Sequence, residues 1–367
     1  MALKIGLVGM GSIGNTHADA YAKDELGDLV AVCDVKHDRA DAAAEKYGVP
    51  AFYTLQEMLL AMPGIDIVDV TTSGYEQGSW HYQPVMEALN AGKHVLVEKP
   101  ISNDVREARE MVRLAASKNL YLGCNLNHYF TQPAARGDQL VAEGKIGEPV
   151  YIIHKVGFNG GQASYGGAGS ERWHRPYSHL KAFLPHPFSV MRHFGGDITH
   201  VQAQLSKPGV RKSANDLMYS INSIHVRFEN GSSGYLLSQR GDAMFGLGGW
   251  WSFEMAGTKG TFVIENCVEK LSYWDAEKPT GSMGSPAPNE VFDTGITDFS
   301  TTFPTRIHAF LEDVTNGVPV EFLRSSGRDA LATLEYTFAA IRSFEEGGAV
   351  VRPEPLPTLH GDIHKPI

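Results

Sequence analysis

A chain of 367 residues with 43% apolar and 20% charged side chains is long enough for two domains with separate cores, and its composition is neither disordered nor fibrous. A formal charge of -10 argues against nucleic acid or an anionic membrane as the principal partner, since both need a basic surface, and leaves a small molecule as the default. Three widely spaced cysteines, Cys33, Cys124 and Cys267, suit reduced buried thiols in the cytoplasm better than a disulfide framework.

The opening run MALKIGLVGM is short and broken by glycines, and no later run reaches a spanning length, so neither a signal peptide nor a membrane span is expected. Up to about residue 125, Val/Ile/Leu-rich runs alternate with helical patterns. LKIGLVG, GDLVAVCD, GIDIVDVT, KHVLVEK and NLYLGCN read as strands, and NTHADAYAK, RADAAAEKYG, SWHYQPVMEALNAG and NDVREAREMVRLAASK as helices. Strands apolar on both faces and alternating with helices predict a doubly wound parallel sheet. After a further helix, PAARGDQLVAEGKIG, the pattern changes to consecutive strands: PVYIIHKV, THVQAQLS, MYSINSIHVRFE, SSGYLLSQ, WSFEMAG, GTFVIEN and KLSYW. Turn signals such as ENGSSG between them predict a large, mainly antiparallel open sheet in an α+β domain. The expected domains are therefore 1–125 and 126–367. Two late helices, TRIHAFLEDVTNG and GRDALATLEYTFAAIRSFEEG, are free to pack back on the first. GFNGGQASYGGAGS reads as a glycine-rich active-site rim, and the tail histidines His360 and His364 as surface residues.

Chemistry enters with GMGSIG. Gly9, Gly11 and Gly14, with Ser12 and Ile13 between them, form G-x-G-x-x-G after the first strand and at the start of the first helix. Such glycines admit a pyrophosphate to the helix N-terminus, whose exposed N–H groups favour an anion. Asp34 ends the second strand 20 residues after Gly14, where a carboxylate accepts hydrogen bonds from a ribose and repels a 2'-phosphate. NAD is expected over NADP, although Lys36 and His37 lie close enough to accommodate a phosphate. Thr71, Thr72 and His81, after the fourth strand, and Asn127, beyond the sixth, are candidates for the nicotinamide side. Glu98 and Lys99 end the fifth strand at the same sheet edge, pointing to the cofactor.

Together Gly9 to Gly14, Asp34, EALNAGKHVLVEKP, EGKIGEPV and GRDALATLEYTFAAIRSFEEG resemble the glucose-fructose oxidoreductase, inositol dehydrogenase and MocA (Gfo/Idh/MocA) family over nearly the whole chain. The resemblance implies an NAD(P)-dependent oxidoreductase acting on a secondary hydroxyl of a sugar, glycoside or cyclic polyol. It also implies a cis Lys99–Pro100 bond, and a substrate held between the nicotinamide and the second domain's open sheet. Relatives often carry Leu-x-Asp-x-Gly-x-His before a helix; here LKAFLPH keeps Leu180 and His186 but puts Ala182 and Leu184 where Asp and Gly are expected. Lys99 and His186 are thus the expected catalytic pair, with Tyr177, His179 or Lys181 as candidates for the vacant role.

Trp173, His174 and Tyr177 beside the glycine-rich loop suit the apolar faces and hydroxyl rim of a sugar, with core packing the rival reading. The spacing of Glu171, His174, His179 and His186 matches no ligand motif, and no metal is expected. Family habit implies a homodimer or homotetramer through strands between residues 200 and 275. Two other functions stay open: redox-assisted, NAD-dependent glycoside cleavage, and a non-catalytic dinucleotide-binding regulator.

Overall fold

The computed structural model describes residues 2–75, 78–158, 175–208, 217–241, 243, 245–246, 249–280 and 286–357. Two compact units divide the chain. The first takes residues up to Asn127, Phe303–Leu334 and the segment from Pro355; the second takes His128–Thr302 and Glu335–Glu354.

In the first unit β1 (Leu3–Val8), α1 (Ser12–Tyr21), β2 (Gly27–Cys33), α2 (His37–Tyr47), β3 (Ala51–Phe52), α3 (Leu55–Ala61) and β4 (Ile67–Val70) follow one another. A short hairpin, β5 (Gly74–Tyr75) and β6 (Gly78–Ser79), precedes α4 (Tyr82–Asn90), β7 (His94–Val97), α5 (Val105–Ser117) and β8 (Leu122–Cys124). The six-stranded sheet runs β3-β2-β1-β4-β7-β8 and is parallel throughout. Its order reverses between β1 and β4, the switch point outside which doubly wound sheets bind ligands. All four residues of β4 are buried because helices cover both faces. The core of Ile5, Leu7, Met10, Ala18, Tyr21 and Leu96 also takes in Ile307, Phe310, Leu311 and Leu323 from the late segment.

In the second unit come α6 (Gln132–Ala142), β9 (Pro149–Phe158), α7 (Ser178–Phe183), α8 (Pro185–Gly195), β10 (Ile198–Ser206), β11 (Ile221–Phe228) and β12 (Ser233–Arg240). β13 (Trp251–Gly257), β14 (Gly260–Glu265), β15 (Lys270–Asp275) and β16 (Glu290–Asp293) complete the strands; of the last two described helices, α9 (Thr302–Thr315) belongs to the first unit from Phe303 on, and α10 (Gly327–Glu345) to the first as far as Leu334 and to the second from Glu335. The eight-stranded sheet runs β10-β11-β12-β9-β13-β14-β15-β16. Only β12 with β9 is parallel; every other pair is antiparallel. Strict alternation sends Ile152, His154 and Val156 of β9 inward and leaves Tyr151 and Ile153 exposed. The ENGSSG turn joins β11 to β12, with Gly231 at φ 89°.

The sequence pattern does not announce α3, α7 or β16. α3 has seven residues, and its start is fixed by the Thr54 hydroxyl accepting the Glu57 N–H at 3.2 Å. α7 is a single six-residue piece, and β16 is an edge strand with no buried residue to mark it.

All three cysteines lie inside the units. Burial, reinforced by Asp34, pushes the Cys33 thiol up to about 12, and burial likewise raises Cys124 and Cys267.

His154, fully buried in β9, donates from Nδ1 to Ser252 O at 2.9 Å, and burial lowers its pKa from 6.5 to about 4. Between those values the unfolded chain takes up a proton that the folded chain refuses. Stability contributed at neutral pH is therefore lost as pH falls from 6.5, levelling near pH 4 at about 3 kcal/mol. Melting temperatures from pH 7 to 4 are expected to fall more steeply in wild type than in His154→Asn; parallel curves contradict this.

Candidate functional site

The glycine loop is built by close approach. Gly9 has φ 102°, and a Cβ on Gly14 would lie 2.0 Å from the Gly9 carbonyl oxygen and 2.9 Å from the Thr71 hydroxyl. A Cβ on Gly11 would meet nothing nearer than Arg39 Nη1 at 3.8 Å, so that glycine is open on its outer side. Helix α1 starts at Ser12 with neither a side-chain cap nor an acidic residue in its first turn, and Ile13 is exposed there. Uncapped N–H groups beside an open glycine fit a dinucleotide's pyrophosphate.

Asp34 is anchored on both oxygens. Oδ2 accepts the Met10 N–H at 2.7 Å and Oδ1 the Lys36 N–H at 2.8 Å, which ties the end of β2 to the glycine loop. Each oxygen retains a further lone pair, the capacity a ribose diol needs. His37 lies flat on Tyr53, ring centroids 3.7 Å apart.

Thr71, Thr72 and His81 turn their bonds to backbone. The Thr71 hydroxyl reaches Gly9 O at 2.7 Å and Val8 O at 3.1 Å, and Thr72 donates to Trp80 O. His81 sets Nδ1 2.7 Å from Pro100 O and Nε2 beside Thr72 O, its one N–H in the neutral ring donating to one of the two, and burial holds its imidazole below the ordinary range. Asn127 is buried in a one-turn helix, and the Lys99–Pro100 bond is cis.

Glu98 turns into the unit, where it meets a charged group that the motif reading passes over. The buried stripe of α1, Gly14, His17, Ala18 and Tyr21, has helical spacing and lays His17 and Tyr21 over Asp69 of β4. His17 Nδ1 donates to Asp69 Oδ2 at 2.7 Å, and Nε2 to Glu98 Oε1 at 3.2 Å. Tyr21 also donates to Asp69 Oδ2, at 2.8 Å, and Asn125 to Glu98 Oε1. Burial alone would lower the His17 pKa, but Asp69 and Glu98 reverse this and raise it to about 10. Burial likewise opposes Glu98 ionisation, and the His17 hydrogen bond and charge hold its pKa below the usual value. An imidazolium therefore sits between two carboxylates in the sheet core. The signals were present: a histidine three residues after Gly14, and a carboxylate inside an otherwise apolar strand.

In the second unit His186, in the first turn of α8, is buried, its ring stacked on His128 with centroids 3.8 Å apart. The Trp251 indole N–H donates to His128 Nδ1 at 3.2 Å, placing the His128 proton on Nε2. Phe183, Trp250 and Phe299 present edges to the His128 ring. His179 joins this group through Phe183 and pairs Nε2 with the Ser238 hydroxyl at 3.0 Å. Tyr177 and Lys181 are drawn to α10: Tyr177 donates to Glu345 at 2.7 Å, and the Lys181 ammonium lies 5.1 Å from the centre of the Phe338 ring. Ala182 is buried. Trp173, His174, Glu171, His360, His364 and the core of the glycine-rich loop lie outside the described residues.

A parallel sheet carrying this loop, open helix terminus and Asp34 defines a fold of the dinucleotide-binding class. Two family models match, "Oxidoreductase family, NAD-binding Rossmann fold" over residues 3–126 and "GFO/IDH/MocA C-terminal domain" over residues 135–263. The chain belongs to the Gfo/Idh/MocA family. It is 31% identical to D-glucoside 3-dehydrogenase of Escherichia coli over 41% of this chain and 42% of that one, so less than half of that relative is spanned. It is 25% identical to myo-inositol 2-dehydrogenase of Thermotoga maritima over 95% of this chain and 98% of the relative. The fold matches levoglucosan dehydrogenase in complex with NADH at TM-score 0.81 and 20% identity, covering 96% of this chain and 100% of the other.

The glycines separate loop construction from ligand approach. Gly11→Ala should melt within about 2 °C of wild type yet bind NADH at least tenfold more weakly by fluorescence titration, because only an incoming phosphate meets the added methyl. Gly14→Ala should lose both stability and binding. Unaltered NADH binding by Gly11→Ala contradicts this placement.

Proposed function

We propose that the chain is an NAD-dependent dehydrogenase that oxidises a secondary hydroxyl of a sugar, glycoside or cyclic polyol. The observation that carries this reading is the presence, at one end of one parallel sheet, of the open α1 terminus, the anchored Asp34 carboxylate and the Glu98–Lys99–Pro100 turn. The relatives' names, a glucoside and an inositol dehydrogenase, support the substrate class.

NAD, when bound, supplies a nicotinamide C4 that accepts hydride from the alcohol carbon. The chain's own work is to hold the dinucleotide, to orient the hydroxyl and to take its proton. Asp34 favours NAD, since its charge accepts a ribose diol and repels a 2'-phosphate. Lys99 is the proposed group at the hydroxyl. Desolvation lowers a lysine's proton affinity, as does the positive nicotinamide ring. His186 is the second proposed group, able to share the proton or pass it on. His128, stacked on His186, fixes the plane of that ring. The buried, unpaired thiols support a reducing compartment, the cytoplasm.

A panel of myo-inositol, D-glucose and alkyl glucosides with NAD or NADP, followed at the nicotinamide absorbance band, tests the function. Net NADH formation, faster with NAD, is expected; glycoside cleavage without net NADH would favour the redox-assisted reaction instead. Lys99→Ala and His186→Ala should each lower turnover by roughly a hundredfold while leaving NADH affinity nearly unchanged. Near-normal turnover in both would remove the pair from the mechanism.

We also propose a homodimer or homotetramer formed through the outer face of the eight-stranded sheet. Tyr235, Ile153, Glu254 and Val263 are register neighbours across that face, and Ile153 is 42% exposed there. Tyr235, Ile153 and Val263, with Glu254 among them, present a largely apolar row at the middle of the sheet, which favours burial. Light scattering at micromolar concentration should give a dimer or tetramer mass, reduced by Ile153→Glu; a monomeric wild type contradicts it.

A further inference from the structure

The His17 cluster is unused by the proposed chemistry, yet it places a charged histidine and two carboxylates in a sheet core where apolar residues would serve stability as well. Its connection to the site runs through the backbone. Glu98 accepts His17 and Asn125 on Oε1, while its Oε2 accepts the Lys99 N–H at 3.2 Å. The carboxylate therefore fixes the peptide plane between residues 98 and 99, and so the direction in which the Lys99 side chain leaves the sheet. On the far side of the turn, His81 holds the Pro100 carbonyl at 2.7 Å.

We propose that His17 is a positioning residue for Lys99, acting through Glu98. The inference rests on the reading of Lys99 as the group at the substrate hydroxyl. Asp69 holds one ring nitrogen from β4 and is itself held by Tyr21 on the same oxygen, so the imidazole cannot turn without breaking its contacts to both Asp69 and Glu98. The other nitrogen is thereby aimed at Glu98. A glutamine at position 17 is uncharged and carries both its N–H donors on one nitrogen, so it cannot present a donor to each carboxylate from opposite edges as the ring does.

The test is a double-mutant cycle on the full chain, using the alcohol of the inositol, glucose and glucoside panel that reduces NAD. His17→Gln should lower kcat at least tenfold with KM and NADH affinity within about twofold. In a Lys99→Ala background the same change should cost less than twofold, because the lever has nothing left to aim. Equal losses in both backgrounds mean a general structural role and overturn the proposal. Should His17→Gln melt below the assay temperature, Asp69→Asn keeps shape while removing the charge that holds the ring, and should give the same background-dependent loss. Full turnover by Lys99→Ala would overturn the underlying reading of Lys99 instead. A measurement free of substrate separates the two failures: the 13C resonance of reductively methylated Lys99, identified by its absence in Lys99→Arg. It should lie away from the mobile-lysine position in wild type and move towards it in His17→Gln. An unmoved resonance overturns the positioning role.

Discussion

The site in the first unit depends on one close approach, the Cα of Gly14 against the carbonyl oxygen of Gly9. That approach sets α1 down on β1 and β4 at the depth where its stripe reaches Asp69. The same contact leaves the helix terminus facing outward for an anion. From there the order of contacts is fixed: Gly14 places His17, His17 reaches Asp69 and Glu98, and Glu98 holds the Lys99 peptide. Phosphate binding and lysine geometry are thus two ends of one helix placement, not separate inventions.

Charge in this core is held by pairing. Two carboxylates and an imidazolium would each be expensive to bury alone, and removing one partner of such a group typically costs about 3–5 kcal/mol. Arg306, also fully buried, donates to the carbonyls of Cys124 and Ser325 and adds positive charge on the same side of the sheet. The late segment that carries it therefore completes the electrostatics of the first unit as well as its apolar core.

Much of this was legible in the sequence. Runs apolar on both faces announced the parallel sheet, consecutive strands joined by turn signals such as ENGSSG announced the antiparallel one, and GMGSIG with Asp34 announced the dinucleotide loop. What pattern could not supply was partnership. Thr71, Thr72 and His81 turn their hydrogen bonds to the backbone carbonyls of Gly9, Trp80 and Pro100, which stand 62, 8 and 19 residues away in the chain. Glu98 reads as a cofactor-facing carboxylate because it ends the same strand as Lys99; only the fold reveals that His17, 81 residues earlier, claims it. His128 and Trp251 escaped for the same reason, since 123 residues separate two groups that meet at 3.2 Å. Short pieces such as α7 carry too few residues for any period to show.

The burial of Cys33, Cys124 and Cys267 has a consequence for durability. A thiol reacts with peroxide or an alkylating reagent as the thiolate, and each of these is held protonated and out of solvent. These three cysteines are ballast, packed like small apolar side chains and closed to oxidants. A cell under oxidative stress would therefore find no ready cysteine thiol on the folded protein.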